Sequence, residues 1–178
     1  MTNNNDFLPN DYEAPKTGGS YMKLQKGENR FRILSKPILG WIDWQDNKPL
    51  RFHMAAKPAK PVDPKKSVKH FWAFVVWNCN EEKIQILEIT QATIQSAIQA
   101  LSKDEDWGSP FGYDIKVKRT GDGMETEYTV NPVPHSKVTK QTEEALVSIG
   151  QINLDALYEG ADPFAQKAVV KETSDLPF

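Results

Sequence analysis

Lys69-His70-Phe71-Trp72-Ala73-Phe74-Val75-Val76-Trp77-Asn78 is a run of aromatic and β-branched side chains, and Lys83–Ile89 follows it across Asn78-Cys79-Asn80. Such residues fit a pleated, half-buried surface, and the second run sets Ile84 and Ile86 against Gln85 and Glu88 at a loose period of two. The two segments read as a hairpin at the centre of a β structure. Along the first, His70, Trp72, Phe74 and Val76 share one face, while Phe71, Val75 and Trp77 share the other. A small barrel can wholly bury at most one such set, so the spacing predicts that the other is a platform of open rings.

Working outward toward the N-terminus, Leu24, Phe31, Ile33 and Leu34, then Ile38, Leu39, Trp41, Ile42 and Trp44, form short β-compatible runs. Pro37 and Gly40 mark a bend, giving two strands or one strongly bent pair. Residues 50–54 end a further strand and lead into Lys57-Pro58-Ala59-Lys60-Pro61-Val62-Asp63-Pro64-Lys65-Lys66. Its three prolines forbid a central strand, so an exposed, mobile, basic loop is expected. In the other direction, Thr90 or Gln91 opens a helix with Ile94, Ala97, Ile98 and Leu101 at helical spacing, closed before Trp107-Gly108-Ser109-Pro110. Segments 111–119 and 124–131 flank Gly121-Asp122-Gly123, a second hairpin signal. Residues 139–149, with Thr139 or Thr142 as N-cap, and 153–158 read as short helices.

This order predicts a mainly β chain with a few helices. A five- or six-stranded Greek-key barrel with its helix after the central strands matches it, as do some open α+β sheets. The expected organisation is a flexible arm over 1–20, one domain over 21–159 and a flexible acidic tail over 160–178, because the ends hold too few apolar residues to offset the entropy of ordering.

The 178 residues suffice for one ordinary domain. No apolar run reaches the roughly eighteen residues of a membrane span and the start lacks a signal peptide, so a soluble, intracellular protein without membrane contact is expected. Cys79 is the only cysteine, which excludes an internal disulfide, and with His53, His70 and His135 it forms no closely spaced metal motif. No metal or cofactor is expected. Phosphate-cradling glycine loops, paired-histidine motifs and nucleophile elbows are also missing. Asp104-Glu105-Asp106 reads as a solvated helix cap rather than a Mg²⁺ site, and the chain reads as a non-enzyme.

Charge is unevenly spread. The formal net charge is −2, but the acids of residues 1–20 and 155–178 leave the middle of the chain positive. Arg51, Lys57, Lys60, Lys65, Lys66 and Lys69 face only Asp63 within 51–70, enough to attract phosphates whatever the average. Binding one DNA strand without reading its sequence needs cations along a groove and flat side chains for unstacked bases. Arg30 and Arg32 alternate with Phe31 and Ile33; Trp41, Trp44, Arg51 and Phe52 follow; Lys69, Trp72, Phe74 and Trp77 crowd one strand; Lys116 and Lys118 share a face beside Arg119. These residues, with the lysines of the 57–66 loop, are the candidate DNA contacts.

The chain ends Asp175-Leu176-Pro177-Phe178, preceded by Glu172, a tip that resembles the Asp-Leu/Ile-Pro-Phe end of bacterial single-stranded DNA-binding proteins. An aromatic ring beside a terminal carboxylate suits a basic-rimmed apolar pocket on a partner protein. The body, through Tyr21-Met22-Lys23-Leu24-Gln25-Lys26-Gly27-Glu28-Asn29-Arg30-Phe31-Arg32-Ile33-Leu34, Trp107-Gly108-Ser109-Pro110-Phe111-Gly112-Tyr113-Asp114-Ile115-Lys116-Val117-Lys118-Arg119 and Tyr128-Thr129-Val130-Asn131-Pro132, resembles bacteriophage OB-fold single-stranded DNA-binding proteins. It departs from their zinc-containing members, since Cys79 alone supplies no metal site, and its Asn-rich start does not match their basic arm. The resemblance implies an OB-type Greek-key β-barrel that coats single-stranded DNA during phage replication, recombination or repair in the host cytoplasm, with replication or recombination proteins recruited through residues 175–178. The competing expectation is a protein-interaction or strand-annealing module whose nucleic-acid contact is incidental.

Overall fold

Strand β4 (Lys69–Asn78) is the spine around which the other strands are hung. In the computed structural model, which describes residues 19–165, β1 (Gly27–Ile33), β2 (Ile38–Gln45), β3 (Lys48–His53), β5 (Lys83–Ile89), β6 (Asp114–Thr120) and β7 (Glu127–Pro132) join it in one antiparallel sheet. Two α-helices, α1 (Ala92–Lys103) and α2 (Lys140–Ile149), complete the main elements. Residues 1–18 of the arm expected over 1–20 and residues 166–178 of the tail expected over 160–178, with its 175–178 tip, lie outside the described residues.

β1 and β2 both run along one edge of β4, with Ile33 opposite Val76 and Ile38 opposite Ala73. Residues 34–37 are the bend announced by Pro37. The ladder loses little there, because Leu34 N–H donates to the Val75 carbonyl at 2.8 Å and Ser35 Oγ accepts the Val75 N–H at 2.9 Å. β5 takes the other edge of β4, β3 lies beyond β2, and β6 then β7 lie beyond β1. The β2–β3 hairpin turns through Asp46 and Asn47 at φ 51° and 62°, a left-handed pair that short polar side chains tolerate.

The sheet does not close on itself. Its path ends at β3 and β7, and the free edge of β5 is met by residues 20–22, where Met22 N–H donates to the Ile86 carbonyl at 2.8 Å and Ile86 N–H to that of Ser20 at 2.9 Å. The mainly β architecture, with α1 between the central and second meanders, is consistent with an OB-like β fold. No helix among the described residues is long and apolar enough to cross a membrane.

Both faces of β4 are buried from Ala73 to Asn78, so the open platform expected along one face narrows to His70 and Trp72, which are half-buried. On the first, Phe74 and Val76 join Phe31, Ile33, Leu87, Ile89, Tyr113, Ile115 and Val117 under Ile94 and Ile98 of α1. On the second, Phe71 and Ala73 pack with Ile42, Ile86 and Leu157, while Val75 and Trp77 pack with Ile84. That second layer is covered by Ala145, Leu146 and Ile149 of α2 and by Ile152, Leu154, Tyr158 and Phe164. Fully burying a large apolar side chain stabilises by about 1.5–3 kcal/mol, so rings that a lone barrel would expose are retained as a second core.

Caps agree with the sequence reading in α2, where Thr139 Oγ1 accepts the Thr142 N–H at 3.2 Å. Residues 154–159 form a 3₁₀ turn rather than an α-helix. The fold also runs past 159: Asn153 N–H donates to the Pro163 carbonyl at 2.9 Å and Phe164 packs on the second core, so 160–165 belong to the body. Asp104 Oδ1 accepts the N–H groups of Asp106 and Trp107, making the acidic trio a turn after α1.

Candidate nucleic-acid interface

Strand alternation and cross-strand pairing place Leu39, Trp41, Phe52, His70 and Trp72 on one face, where Trp41 stands opposite both Phe52 and His70 and Leu39 opposite Trp72. Here Leu39 is 40% exposed and the four rings are half-buried. The rings hold one another in place. His70 Nδ1 donates to the Gly40 carbonyl at 2.8 Å, leaving Nε2 to accept the Trp72 Nε1–H at 3.2 Å. A neutral imidazole with its proton on Nδ1 satisfies both bonds. The Trp41 ring lies 5.2 Å from that of His70, and its Nε1–H donates to the Met54 carbonyl at 3.1 Å.

The basic loop after β3 is anchored rather than free. Asp43, only 1% exposed, accepts the Val62 N–H at 2.9 Å and the Trp44 N–H at 2.8 Å. Asp63 then takes the N–H of Lys65 on its side chain and that of Lys66 on its carbonyl, at 2.9 Å each. So held, the loop delivers a cation to each face of the hairpin. Lys57 Nζ lies 4.4 Å from the centre of the Trp41 ring, and Lys66 Nζ lies 5.9 Å from that of Trp44 on the opposite face. Lys57, Lys60, Lys65, Lys66 and Lys69 have no carboxylate partner among the described residues.

Trp44 joins two clefts. The smaller, about 510 Å³, is lined with Lys65, Lys66 and Lys69. The larger, about 920 Å³, runs from Trp44 past Lys48 and Lys23 to Tyr21, Arg119 and Tyr128, along the gap that leaves the sheet unclosed. Arg51 also lines it, but its Nε donates to Glu88 at 2.7 Å and the side chain is 10% exposed. Arg119 donates from Nη1 to the Leu24 carbonyl at 3.0 Å, while its Nε–H is buried with no partner among the described residues.

Other expected contacts lie elsewhere. Arg30 and Arg32 do share a face, but both are turned to Asp114, at 2.9 and 2.6 Å, and the Arg32 side chain is 4% exposed. Arg32 also donates to the Phe111 carbonyl and Ser136 Oγ, so it braces β1, β6 and the following segment. The bond to Asp114 raises the Arg30 pKa above the ordinary arginine value. Lys116 and Lys118 stand on that same face of β6, away from the hairpin, with Lys116 Nζ 3.5 Å from Glu28. Phe74 and Trp77 are sealed in the two cores, so neither they nor Arg32 reach the open surface. The structure thus brings together Trp41, Phe52, Lys57 and Trp72 on one face of the hairpin, and Trp44, Lys65, Lys66 and Lys69 on the other. Leu39, Lys48 and Tyr128 were not singled out in the sequence, although period two in β2 already aligns Leu39 with Trp41 as it aligns His70 with Trp72 in β4.

Beside Arg30, burial first and the Asp114 carboxylate second push the Cys79 thiol up to about 11. Ionisation of the thiol is thereby disfavoured in the folded chain, and the nucleophilic thiolate is scarce at neutral pH. Iodoacetamide should modify native Cys79 slowly at pH 7–8 and faster as the pH approaches 11, whereas urea-unfolded chain reacts with the profile of an ordinary thiol. Equal rates for the two states at pH 8 would contradict this burial.

No protein-family model and no solved structure matches the chain. It is similar to a protein of Escherichia phage T5 named as a probable ssDNA-binding protein, at 27% identity, with 78% of this chain and 71% of that protein covered.

Proposed function

We propose that this protein binds single-stranded DNA without reading its sequence and has no catalytic role. The observation that carries the reading is the β2–β3 hairpin, which presents a partly buried tryptophan on each face and a lysine near each ring. The name of the T5 relative supports it independently. Lysines of the 57–66 loop and Lys69 attract the phosphate backbone, and bases leave their stack for Trp41, Trp44, Phe52 and Trp72. Because only the single strand is bound, duplex melts by mass action and no nucleotide is hydrolysed. In this proposal the protein works in the cytoplasm of a phage-infected host during replication, recombination or repair, and residues 175–178 recruit partner proteins.

The test is a tryptophan-fluorescence titration with oligo-dT, a mixed single strand and a duplex at several salt concentrations. Single strands should bind at least 100-fold better than duplex, with log affinity falling against log salt at a slope of about −0.7 per phosphate contact. Equal affinity for duplex and single strand would overturn the proposal and favour an interaction module.

A further inference from the structure

Trp72 belongs to two surfaces at once. On one side it continues the run of Trp41 and His70; on the other it walls a slot of about 270 Å³ between the 34–37 bend, α1 and the turn Pro110–Gly112. Ile33, Pro37, Phe74 and Ile98 supply apolar walls, and Phe111, 44% exposed, stands at the edge. Lys36, Gln99 and Ser102 are the exposed polar residues lining it.

Size and position both narrow the occupant. Pockets that enclose whole drug-sized ligands run to about 300–1,000 Å³, so this one suits a single ring system. Same-face residues of a strand repeat at roughly 6.8 Å, twice the 3.4 Å spacing of nucleotides along one strand of duplex DNA. A strand spread to that repeat, with one base on Trp41, places later bases beside Leu39 and Trp72 and then over the slot. Scarcely any polar group lines its walls, so it has little with which to discriminate one base edge from another.

We propose that this slot receives one unstacked nucleobase of the bound strand, held between Trp72 and Phe111, with Lys36 supplying a cation for the adjoining phosphate. The inference rests on the single-strand reading above and deepens it, from a groove of equivalent stacking positions to one with a single enclosed position. Nothing in the pocket demands a particular base, in keeping with binding that ignores sequence.

The experiment uses the full chain and the shortest oligo-dT that binds fully, with one 2-aminopurine walked through every position. One position should be strongly quenched and at least fivefold less accessible to acrylamide than its neighbours. Phe111→Ala, and separately Ser102→Trp to fill the slot from α1, should abolish that protected position and weaken binding by fivefold or more, with the thermal transition retained. Trp41→Ala should weaken binding yet leave the protected position in place. Uniform acrylamide access along the strand, or Phe111→Ala and Ser102→Trp both binding like the parent, overturns the slot while the single-strand reading stands. If the parent protein binds no single strand, the broader proposal falls and this one falls with it.

Discussion

A Gly40→Ala variant loses about 3 kcal/mol or more of stability, the upper range for forcing extra volume into a packed site, and its Tm falls by about 6–12 °C. A methyl group at Gly40 lies 2.0 Å from the Phe52 carbonyl oxygen and 3.1 Å from the Phe71 ring. The oxygen is backbone in the partner strand and cannot swing aside as the end of a flexible side chain would. Relief requires β2 and β3 to separate, and the Gly40 carbonyl that receives the His70 Nδ1–H moves with them. Both hairpin tryptophans then lose their setting, so DNA affinity falls together with the thermal transition. Calorimetry and oligo-dT binding on the same preparation check this; an unchanged Tm would mean that the hairpin is not so closely built.

The double variant Trp41→Ala/Trp44→Ala should lose about 2–6 kcal/mol of binding to single-stranded DNA, at about 1–3 kcal/mol per stacked base, a weakening of roughly 30-fold to 10⁴-fold. The two residues stand three apart in β2 and so on opposite faces, where their effects approach additivity. Both rings are only half-buried, which keeps the cost to folding well below that of removing Phe71 or Phe74. Fluorescence anisotropy with labelled oligo-dT measures the loss. In parallel, Lys65→Gln/Lys66→Gln/Lys69→Gln should reduce the salt slope by about 2, since each phosphate contact to a single strand contributes about 0.7. A double tryptophan variant that binds like the parent removes the hairpin as the stacking platform.

Much of the fold was legible because its signals are local. The aromatic run of β4, the bend at Pro37, the spacing of Ile94 and Ile98 and the Thr139 cap each speak through neighbours within a few residues. What could not be read was the covering of β4's second face, because Phe71 and Leu157 announce no relation to each other along the chain. The same limit applied to the arginines. Alternation correctly placed Arg30 and Arg32 on one face, but Asp114, more than eighty residues away, decides that this face is an internal ion-pair network. At the hairpin, composition singled out Trp41, Trp44 and the lysines, while the buried Asp43 that fastens Val62 was invisible to it. A carboxylate in an apolar strand looks like an interruption until its partner N–H is seen.

Sealing one side of the central strand with the last described elements carries a consequence for biosynthesis. Phe71, Ala73, Val75 and Trp77 leave the ribosome long before residues 140–164 can reach them. Until those residues emerge, the nascent chain holds a greasy ribbon without its cover, the kind of transient surface on which premature association begins. Completion of that layer therefore waits until Phe164 has been made and has left the ribosome.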